Sequence, residues 1–331
     1  RALDAVIELA GTLNGATAAR PPAAMRACAE RALAAAGPDP RLVALWAEYC
    51  VRAGSAADAI GFLEAVERSG IAAGRAEAEA RIGARVALGT GAPERALALL
   101  DRARADQPGL RWHMGLWAFT ETAARLADPA RHRWLTGHAG LWGVRPVGLD
   151  GRERSDLVAL LRRIHVRRAH PLDQSLRRGT QTEGNLFDRT EPLLRQLRDA
   201  LSRTVAAHAR GLGPAVPGHP TLDPHFGKGD VRFSGSWSVR LGDAGFHVAH
   251  FHPEGWLSSA FYLVLPEAGP GEGDLVLGEP PADLGTGLGP LAVVRPEPGL
   301  LALFPSWLWH GTRPFAAGER LTVAFDVVRG A

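Results

Sequence analysis

The sequence predicts an α+β protein in two parts: an N-terminal array of α-helices, then an antiparallel β-sandwich or open barrel with flanking helices. Residues 1–135 are rich in Ala, Leu, Arg and Glu, with Gly and Pro in short breaks, which is typical of helices joined by short loops. From Val231 onward, short aromatic and β-branched runs alternate with Gly and Pro, which is typical of β-strands. Helices followed by a run of strands indicate an α+β fold.

The first part contains an internal repeat. GSAADAIGFLEAVERSG begins at Gly54 and GAPERALALLDRARADQP begins at Gly91, an offset of 37 residues (91 − 54), and a less clear copy precedes them at 23–41. A period in the thirties predicts stacked helix pairs with glycine at the turns. Residues 20–127 resemble degenerate tetratricopeptide (TPR) repeats with a stretched period. We therefore expect a TPR-like helical repeat domain over residues 1–140.

Composition limits the possible partners. No apolar run approaches the ~20 residues of a membrane span, so no membrane partner is expected. The net charge is +3, and the one dense basic cluster, LLRRIHVRRAH at 160–170, is typical of a solvated helix face rather than a nucleic-acid site. Cys28 and Cys50 form no spaced cluster, which indicates free thiols in a reducing compartment and a cytoplasmic protein.

The second part is expected to span residues 141–331, because composition changes after GLWGVRPVG at 140–148. RERSDLVALLRRIHVRRA reads as a helix, and a second, amphipathic helix is predicted by apolar residues spaced three and four apart at Leu193, Leu194, Leu197, Leu201 and Val205. The strand-like runs are VRFSGSWSVRL, FHVAHFHP, SSAFYLVLP, GDLVLGEPP, LALFPSWLWH and RLTVAFDVV.

Three histidines fall within the stretch HVAHFHPEGW at 247–256. On a strand, residues i and i+2 point to the same face, so His250 and His252 are predicted to project together, whereas on a helix they would diverge by about 200°. Pro253 is expected to end the strand. Two imidazoles on one face at a strand end make a metal clip. By the same strand parity His247 faces the other way, at the surface or behind the ligands.

A third ligand and an anion site are predicted downstream. His310 ends LALFPSWLWH, 58 residues after His252 (310 − 252). Ten residues later Arg320 opens RLTVAFDVV, with Thr322 on the same strand face. A guanidinium beside a hydroxyl forms a clamp for a carboxylate, because the guanidinium fork matches its two oxygens.

This arrangement resembles the Fe(II)/2-oxoglutarate oxygenases of the double-stranded β-helix (jelly-roll) fold, of which prolyl hydroxylases are the best known. Those enzymes carry H-x-D/E on one strand, a distant His, and R-x-S/T about ten residues later. HFHPEGWLSSAFYLVLP, GEGDLVLGEP and PGLLALFPSWLWHGTRPF match these regions. QSLRRGTQTEGNL at 174–186 is similar to a bacterial and phage family of 2-oxoglutarate-Fe(II) oxygenases. The resemblance covers about residues 140–331.

The resemblance implies the cofactors Fe(II), 2-oxoglutarate and O2. It implies iron ligation by His250, His252 and His310, with 2-oxoglutarate bound by Arg320, Thr322 and Tyr262. Residues at the substrate side of the barrel are then expected to be Gln174, Arg177, Gln181, Trp256 and Trp309. One departure is that His252 stands where the superfamily has a carboxylate. Either His252 coordinates, or it leaves a position for water, chloride or an acid such as Glu254.

The sequence therefore predicts a 2-oxoglutarate-dependent non-haem iron dioxygenase that hydroxylates a C–H bond and releases succinate and CO2. The repeats favour a peptide or protein side chain as substrate, by analogy only. Two alternatives remain open. The repeats are the functional part of a non-catalytic binding protein with a vestigial barrel, or the protein is a three-histidine iron dioxygenase that needs no 2-oxoglutarate.

Overall fold

The computed structural model describes residues 76–166, 175–226 and 231–329. The chain divides into two compact units. The first contains the described residues up to Arg131 together with Pro281–Leu288, and the second contains the remaining described residues. The repeat copies that begin at Gly54 and at residue 23 lie outside the described residues, as do both cysteines. The domain boundary after residue 140 stays a prediction.

The described residues of the first unit form the helices α1 (Ala76–Gly89), α2 (Pro93–Asp106) and α3 (Met114–Ala127). The repeat copy at Gly91 forms α2, as its pattern predicts. Gly91 has φ of +72°, a left-handed conformation that glycine adopts without strain, so it turns the chain between α1 and α2. Pro93 follows at the start of α2, where its missing N–H costs no helical hydrogen bond. With one copy described, the repeat itself stays a prediction.

Helix α4 (Pro129–Thr136) includes the residues Arg131 and His132, between which the chain divides into the two units. The second unit contains helices α5 (Gly151–Ile164) and α6 (Pro192–Gly211). A capping box starts α5: the Asp150 carboxylate accepts from the Glu153 backbone N–H, and Glu153 accepts from the backbone of Asp150. Both predicted helices of this region are therefore present. Among the described helices, none is long and apolar enough to cross a lipid bilayer.

The described strands of the second unit form two antiparallel sheets. The strands are β1 (Gly143–Pro146), β2 (Leu176–Gln181), β3 (Val231–His247), β4 (Leu257–Val264), β5 (Leu275–Leu277), β6 (Ala292–Val294), β7 (Leu300–Pro305), β8 (His310–Thr312) and β9 (Arg320–Arg329). The larger sheet has the order β1-β7-β4-β9-β3-β2, and the smaller has the order β6-β5-β8. The predicted combination of antiparallel β-sheet and helices is confirmed.

Two segments differ from the predicted elements. The polar stretch QSLRRGTQT, which reads as an exposed loop, contributes β2, an edge strand paired with β3. Its register shifts between Arg177 and Gly179, and Arg178 has φ of +56° at this bulge. The runs VRFSGSWSVRL and FHVAHFHP read as separate strands, but β3 continues unbroken from Val231 to His247 and ends there.

Alternation along β9 separates the hydrophobic core from a cavity. Leu321, Val323, Phe325 and Val327 are buried in a core cluster that also contains apolar residues of α5 and α6. Residues of the opposite parity, including Arg320, Thr322 and Ala324, line a cavity whose wall also includes residues of β5 and β8 in the smaller sheet. Because successive strand residues point to opposite faces, one strand serves both layers.

Candidate metal centre

His250 and His310 are brought together by their own backbones. The His250 N–H donates to the His310 carbonyl at 2.9 Å, and the His310 N–H donates back at 2.8 Å, forming an isolated antiparallel bridge. The two ring centroids lie 4.1 Å apart. His310 begins β8, and His250 follows the end of β3 by three residues. The pairing therefore fixes two imidazoles side by side without a regular strand through His250.

Each of three histidines in the cavity has an acceptor at Nδ1. His250 Nδ1 lies 2.8 Å from the Val248 carbonyl, and His310 Nδ1 lies 3.0 Å from the Leu308 carbonyl. His252 Nδ1 lies 2.6 and 2.7 Å from the carboxylate oxygens of Asp326. Carbonyl and carboxylate oxygens accept, so the proton resides on Nδ1 and the Nε2 lone pair remains available to a metal.

These three residues form a group whose potential ligand atoms all lie within 4.8 Å of one another. Burial, with the neighbouring His252 adding to it, lowers the pKa of His250 to about 3. Burial and the neighbouring His250 hold the pKa of His310 well below its usual range. Both rings are neutral at pH 7, which is the form that coordinates metals. A three-imidazole face suits Fe(II) as well as Zn(II), Ni(II) or Cu(II), so the donor set fits iron.

His247 also lines this cavity. Strand parity predicted that it would face away from His250, but β3 ends at His247 and an irregular turn through Val248 and Ala249 changes the orientation of the next residues. The Ser175 hydroxyl lies 3.1 Å from His247 Nδ1 and 3.3 Å from His250 Nε2. His247 therefore belongs to the surroundings of the three-histidine group rather than to the surface.

The cavity has a volume of about 270 Å³, and Arg320 and Thr322 lie on its wall. Arg320 is 3% exposed, and its Nη1 donates to the Gly273 carbonyl at 2.6 Å. Among the described residues no carboxylate forms a salt bridge with Arg320. Asp274 interacts with Arg320 electrostatically, but its carboxylate is paired with Arg295 at 3.2 Å. A buried cation without a paired anion favours an anionic ligand in the cavity.

Tyr262 lies behind the guanidinium rather than on the cavity wall. Arg320 sits over the Tyr262 ring at 5.2 Å, and Tyr262 is directly opposite Thr322 in the β4–β9 register. The Tyr262 side chain is fully buried, and its hydroxyl interacts with the Arg320 guanidinium. Burial raises the pKa of this hydroxyl. The ring supports the position of Arg320 through a cation–π contact.

The predicted substrate-side residues are not all at the cavity. Gln181 lies on its wall. Arg177 is half-buried on β2 and its Nη1 donates to the Leu176 carbonyl. Trp256 is 2% exposed in the hydrophobic core, and its Nε1 donates to the Thr221 carbonyl.

Trp309, another predicted substrate-side residue, also lies off the wall. Trp309 is buried against Phe251, with ring centroids 4.8 Å apart, and it is Phe251 that lines the cavity. Trp237 lines the cavity beside His252, with ring centroids 5.6 Å apart. Gln174 lies outside the described residues.

Asp326 is a site residue that the sequence reading missed. Its carboxylate contacts His252 Nδ1 with both oxygens, and it also accepts from the Ser258 hydroxyl at 2.7 Å. Glu254, the acid named from the sequence, is exposed. A signal was present, because Asp326 continues the alternation of Arg320 and Thr322 along β9.

Comparison with known families bears on this site. Residues 235–326 match the model of a family described as "Putative 2OG-Fe(II) oxygenase". This segment is similar to 2-oxoglutarate-Fe(II) oxygenases. It includes the three histidines, Arg320, Thr322 and Asp326. The cofactors expected from the sequence, Fe(II), 2-oxoglutarate and O2, are those of the matched family. No curated protein matches the chain.

Solved structures that match part of this chain include two prolyl hydroxylases and HygX. A Pseudomonas putida prolyl-4-hydroxylase is 19% identical, with 60% of this chain and 96% of that chain covered and a TM-score of 0.42. HygX from Streptomyces hygroscopicus, with nickel, 2-oxoglutarate and hygromycin B bound, is 16% identical, with coverages of 61% and 87% and a TM-score of 0.40. A Trichoplax adhaerens prolyl hydroxylase in complex with a peptide fragment is 14% identical, with coverages of 64% and 93% and a TM-score of 0.40.

Proposed function

We propose that the protein is an Fe(II)- and 2-oxoglutarate-dependent oxygenase that hydroxylates a C–H bond of a peptide or protein side chain. The balanced reaction is R–H + O2 + 2-oxoglutarate → R–OH + succinate + CO2. The observation that carries the proposal is the presence, in one cavity, of three imidazoles with available Nε2 atoms and a buried arginine without a carboxylate partner among the described residues.

Iron would be held by His250, His252 and His310. Their Nδ1 contacts to Val248, Asp326 and Leu308 orient each ring before metal arrives, which lowers the cost of assembling the site. When bound, iron and the keto acid would together supply the activation of O2 that C–H oxidation requires.

Arg320 and Thr322 would hold the carboxylate of 2-oxoglutarate that is remote from the keto group. The guanidinium is held by the Gly273 carbonyl and the Tyr262 ring, so its direction is fixed. A charge-assisted hydrogen bond in so buried a place is stronger than one in water. Tyr262 would contribute to binding this carboxylate by holding the Arg320 guanidinium in position.

The substrate would approach from the side of the cavity lined by Gln181, Trp237 and Phe251. An amide beside two aromatic rings provides hydrogen bonding and apolar contact, which suits a side chain of a peptide. The TPR-like character predicted for the first part of the chain supports a peptide or protein partner, because helical repeats present extended binding surfaces. The cavity wall would exclude bulk water from the reacting C–H bond.

The test is production of succinate from 2-oxoglutarate by the purified full chain, with Fe(II) and O2 present. We expect succinate at a slow rate without substrate and faster with a library of peptides, and none without Fe(II) or in His310→Ala. If 2-oxoglutarate is not consumed but O2 is, the three-histidine dioxygenase is the better description. If neither is consumed, while a peptide still binds, the protein is a binding module.

A further inference from the structure

The contact between His252 and Asp326 is the shortest link between the three-histidine group and an acid. Both carboxylate oxygens lie within 2.7 Å of His252 Nδ1. The two side chains are mostly buried, with 18% and 15% of their surfaces exposed. An imidazole whose Nδ1–H donates to a carboxylate becomes a more basic ligand at Nε2 and keeps one ring orientation.

The carboxylate is itself held in place from the opposite side. The Ser258 hydroxyl donates to Asp326 Oδ1 at 2.7 Å, and the Ser258 and Ser306 hydroxyls lie 2.9 Å apart. Ser306 also accepts from the His252 backbone N–H at 3.0 Å. A Cβ at Gly255 would collide with the Ser306 hydroxyl, so a glycine is required at this close approach. The arrangement is thus built around Asp326 on several sides.

Charge explains why such an arrangement is needed here. Three neutral imidazoles supply no negative charge to a divalent cation, whereas the usual set of two histidines and one carboxylate supplies one. Asp326 is the acid that touches a member of the group, but it is not itself among the atoms that cluster within 4.8 Å. Its charge therefore reaches the metal position through the His252 ring.

We propose that Asp326 is a positioning residue that acts through His252. From behind the His252 ring, it supplies the negative charge that a carboxylate at position 252 would otherwise supply. The inference rests on the proposed metal site but not on oxygenase activity. Asp326 fixes the His252 tautomer and ring direction, and it makes Nε2 more electron-rich. Strand β9 and the irregular segment after β3 thus share a role that a single H-x-D strand has in the Fe(II)/2-oxoglutarate oxygenases that this segment resembles.

The test measures affinity for Co(II) alone, by calorimetry and by the visible band of the bound ion, without 2-oxoglutarate. Asp326→Ala should weaken Co(II) binding about 10- to 100-fold, as is usual when the partner of a metal-binding histidine is lost. Asp326→Asn keeps the shape but not the charge, so its Co(II) affinity should lie between those of the parent and of Asp326→Ala. Asp326→Glu should recover part of the affinity. Asp274→Asn, at another buried carboxylate paired with Arg295, is the matched control and should bind as the parent does.

A second comparison separates positioning from direct ligation and from folding. In a His252→Ala background, adding Asp326→Ala should weaken Co(II) binding no further, because Asp326 acts only through the missing ring. A further loss of affinity in that background would show that Asp326 ligates the metal itself and would overturn the proposal. An unchanged affinity of Asp326→Ala in the parent background would also overturn it.

Melting temperatures of the metal-free variants show whether any loss comes from unfolding instead. If the parent chain binds no Co(II) at all, the proposed function fails first and independently of Asp326.

Discussion

The backbones of His250 and His310 exchange two hydrogen bonds, of 2.9 and 2.8 Å, and this pair joins the segment after β3 to the first residue of β8. The two imidazoles belong to chain segments that are 60 residues apart (310 − 250) and are held in contact before any ligand is present. Metal binding should therefore stabilise the connection between the two sheets.

Metal should raise the stability of the folded protein. At a free Co(II) concentration of 100 times Kd, linkage predicts about 2.7 kcal/mol of added stability, because the ion binds the folded site and not the unfolded chain. The measurement is thermal or urea unfolding with and without metal. In His310→Ala the stabilisation should vanish, whereas His225→Ala, at an exposed histidine outside the cavity, should keep it. Equal stabilisation of both variants would contradict the assigned ligands.

Arg320→Leu should weaken binding of 2-oxoglutarate more than tenfold in the metal-loaded protein. The variant removes charge-assisted hydrogen bonds worth about 1.5–3 kcal/mol to a carboxylate in a buried place. The measurement is calorimetric titration of 2-oxoglutarate without O2. Arg313→Leu is the control, because Arg313 is a half-exposed arginine paired with Glu279 away from the cavity wall. Unchanged affinity in Arg320→Leu would remove the carboxylate-clamp assignment.

His252→Asp should still hold iron, since it restores a set of two histidines and one carboxylate. The new carboxylate would then lie next to Asp326, and two unpaired like charges in one partly buried place repel each other. A bound divalent cation relieves this repulsion, so the mechanism by which Asp326 acts in the parent chain, through the His252 ring, is the part that is lost. Adding Asp326→Asn to His252→Asp should therefore weaken metal binding less than the same change does in the parent chain. The measurement is Fe(II) affinity under anaerobic conditions. An equal loss of affinity in both backgrounds would mean that Asp326 does not act through the His252 ring.

Stability should fall with acid partly because of His208. This side chain is 1% exposed on α6, and neither ring nitrogen has a hydrogen-bond partner among the described residues. Burial, with the charge of Arg145 adding to it, lowers the pKa of His208 to about 4. The unfolded chain takes up this proton near pH 6.5. The stabilisation is therefore complete above about pH 6.5 and is lost as pH falls through about 4.

His208→Leu removes both the unpaired polar group and its titration. Between pH 6.5 and 4 the dependence of unfolding free energy on pH should become shallower by up to about 1.4 kcal/mol per pH unit. Urea unfolding at several pH values measures this slope. An unaltered slope in His208→Leu would show that His208 is not buried as a neutral ring.

Strand periodicity predicted more of this site than of the fold around it. The shared face of Arg320 and Thr322 follows from period-two alternation along β9, and the same alternation reaches Asp326. His250 and His252 come together as predicted, but not on a strand that Pro253 ends: β3 ends at His247, and backbone hydrogen bonds to His310 and Ser306 position the two histidines. Long-range register, which pairs Asp326 with Ser258, cannot be read from local pattern.

The failures of the sequence reading have physical causes. His247 was placed on the wrong face because parity holds only within a continuous strand, and β3 ends at that residue. Strand β2 was missed because QSLRRGTQT is polar, which an edge strand tolerates when it pairs on one side only. Trp256 and Trp309 look like rim residues in sequence, but large aromatic side chains near a barrel are more often core, as the burial of both indicates.

Iron and 2-oxoglutarate are proposed to bind together in the cavity between His250, His310 and Arg320. The most direct test is a visible absorption spectrum of the full chain under anaerobic conditions, with Fe(II) and 2-oxoglutarate added in turn. We expect a metal-to-ligand charge-transfer band that appears only when both are present, and that needs a higher 2-oxoglutarate concentration in Arg320→Leu. The absence of a band at saturating concentrations of both, in protein that is folded and binds Fe(II), would contradict the claim.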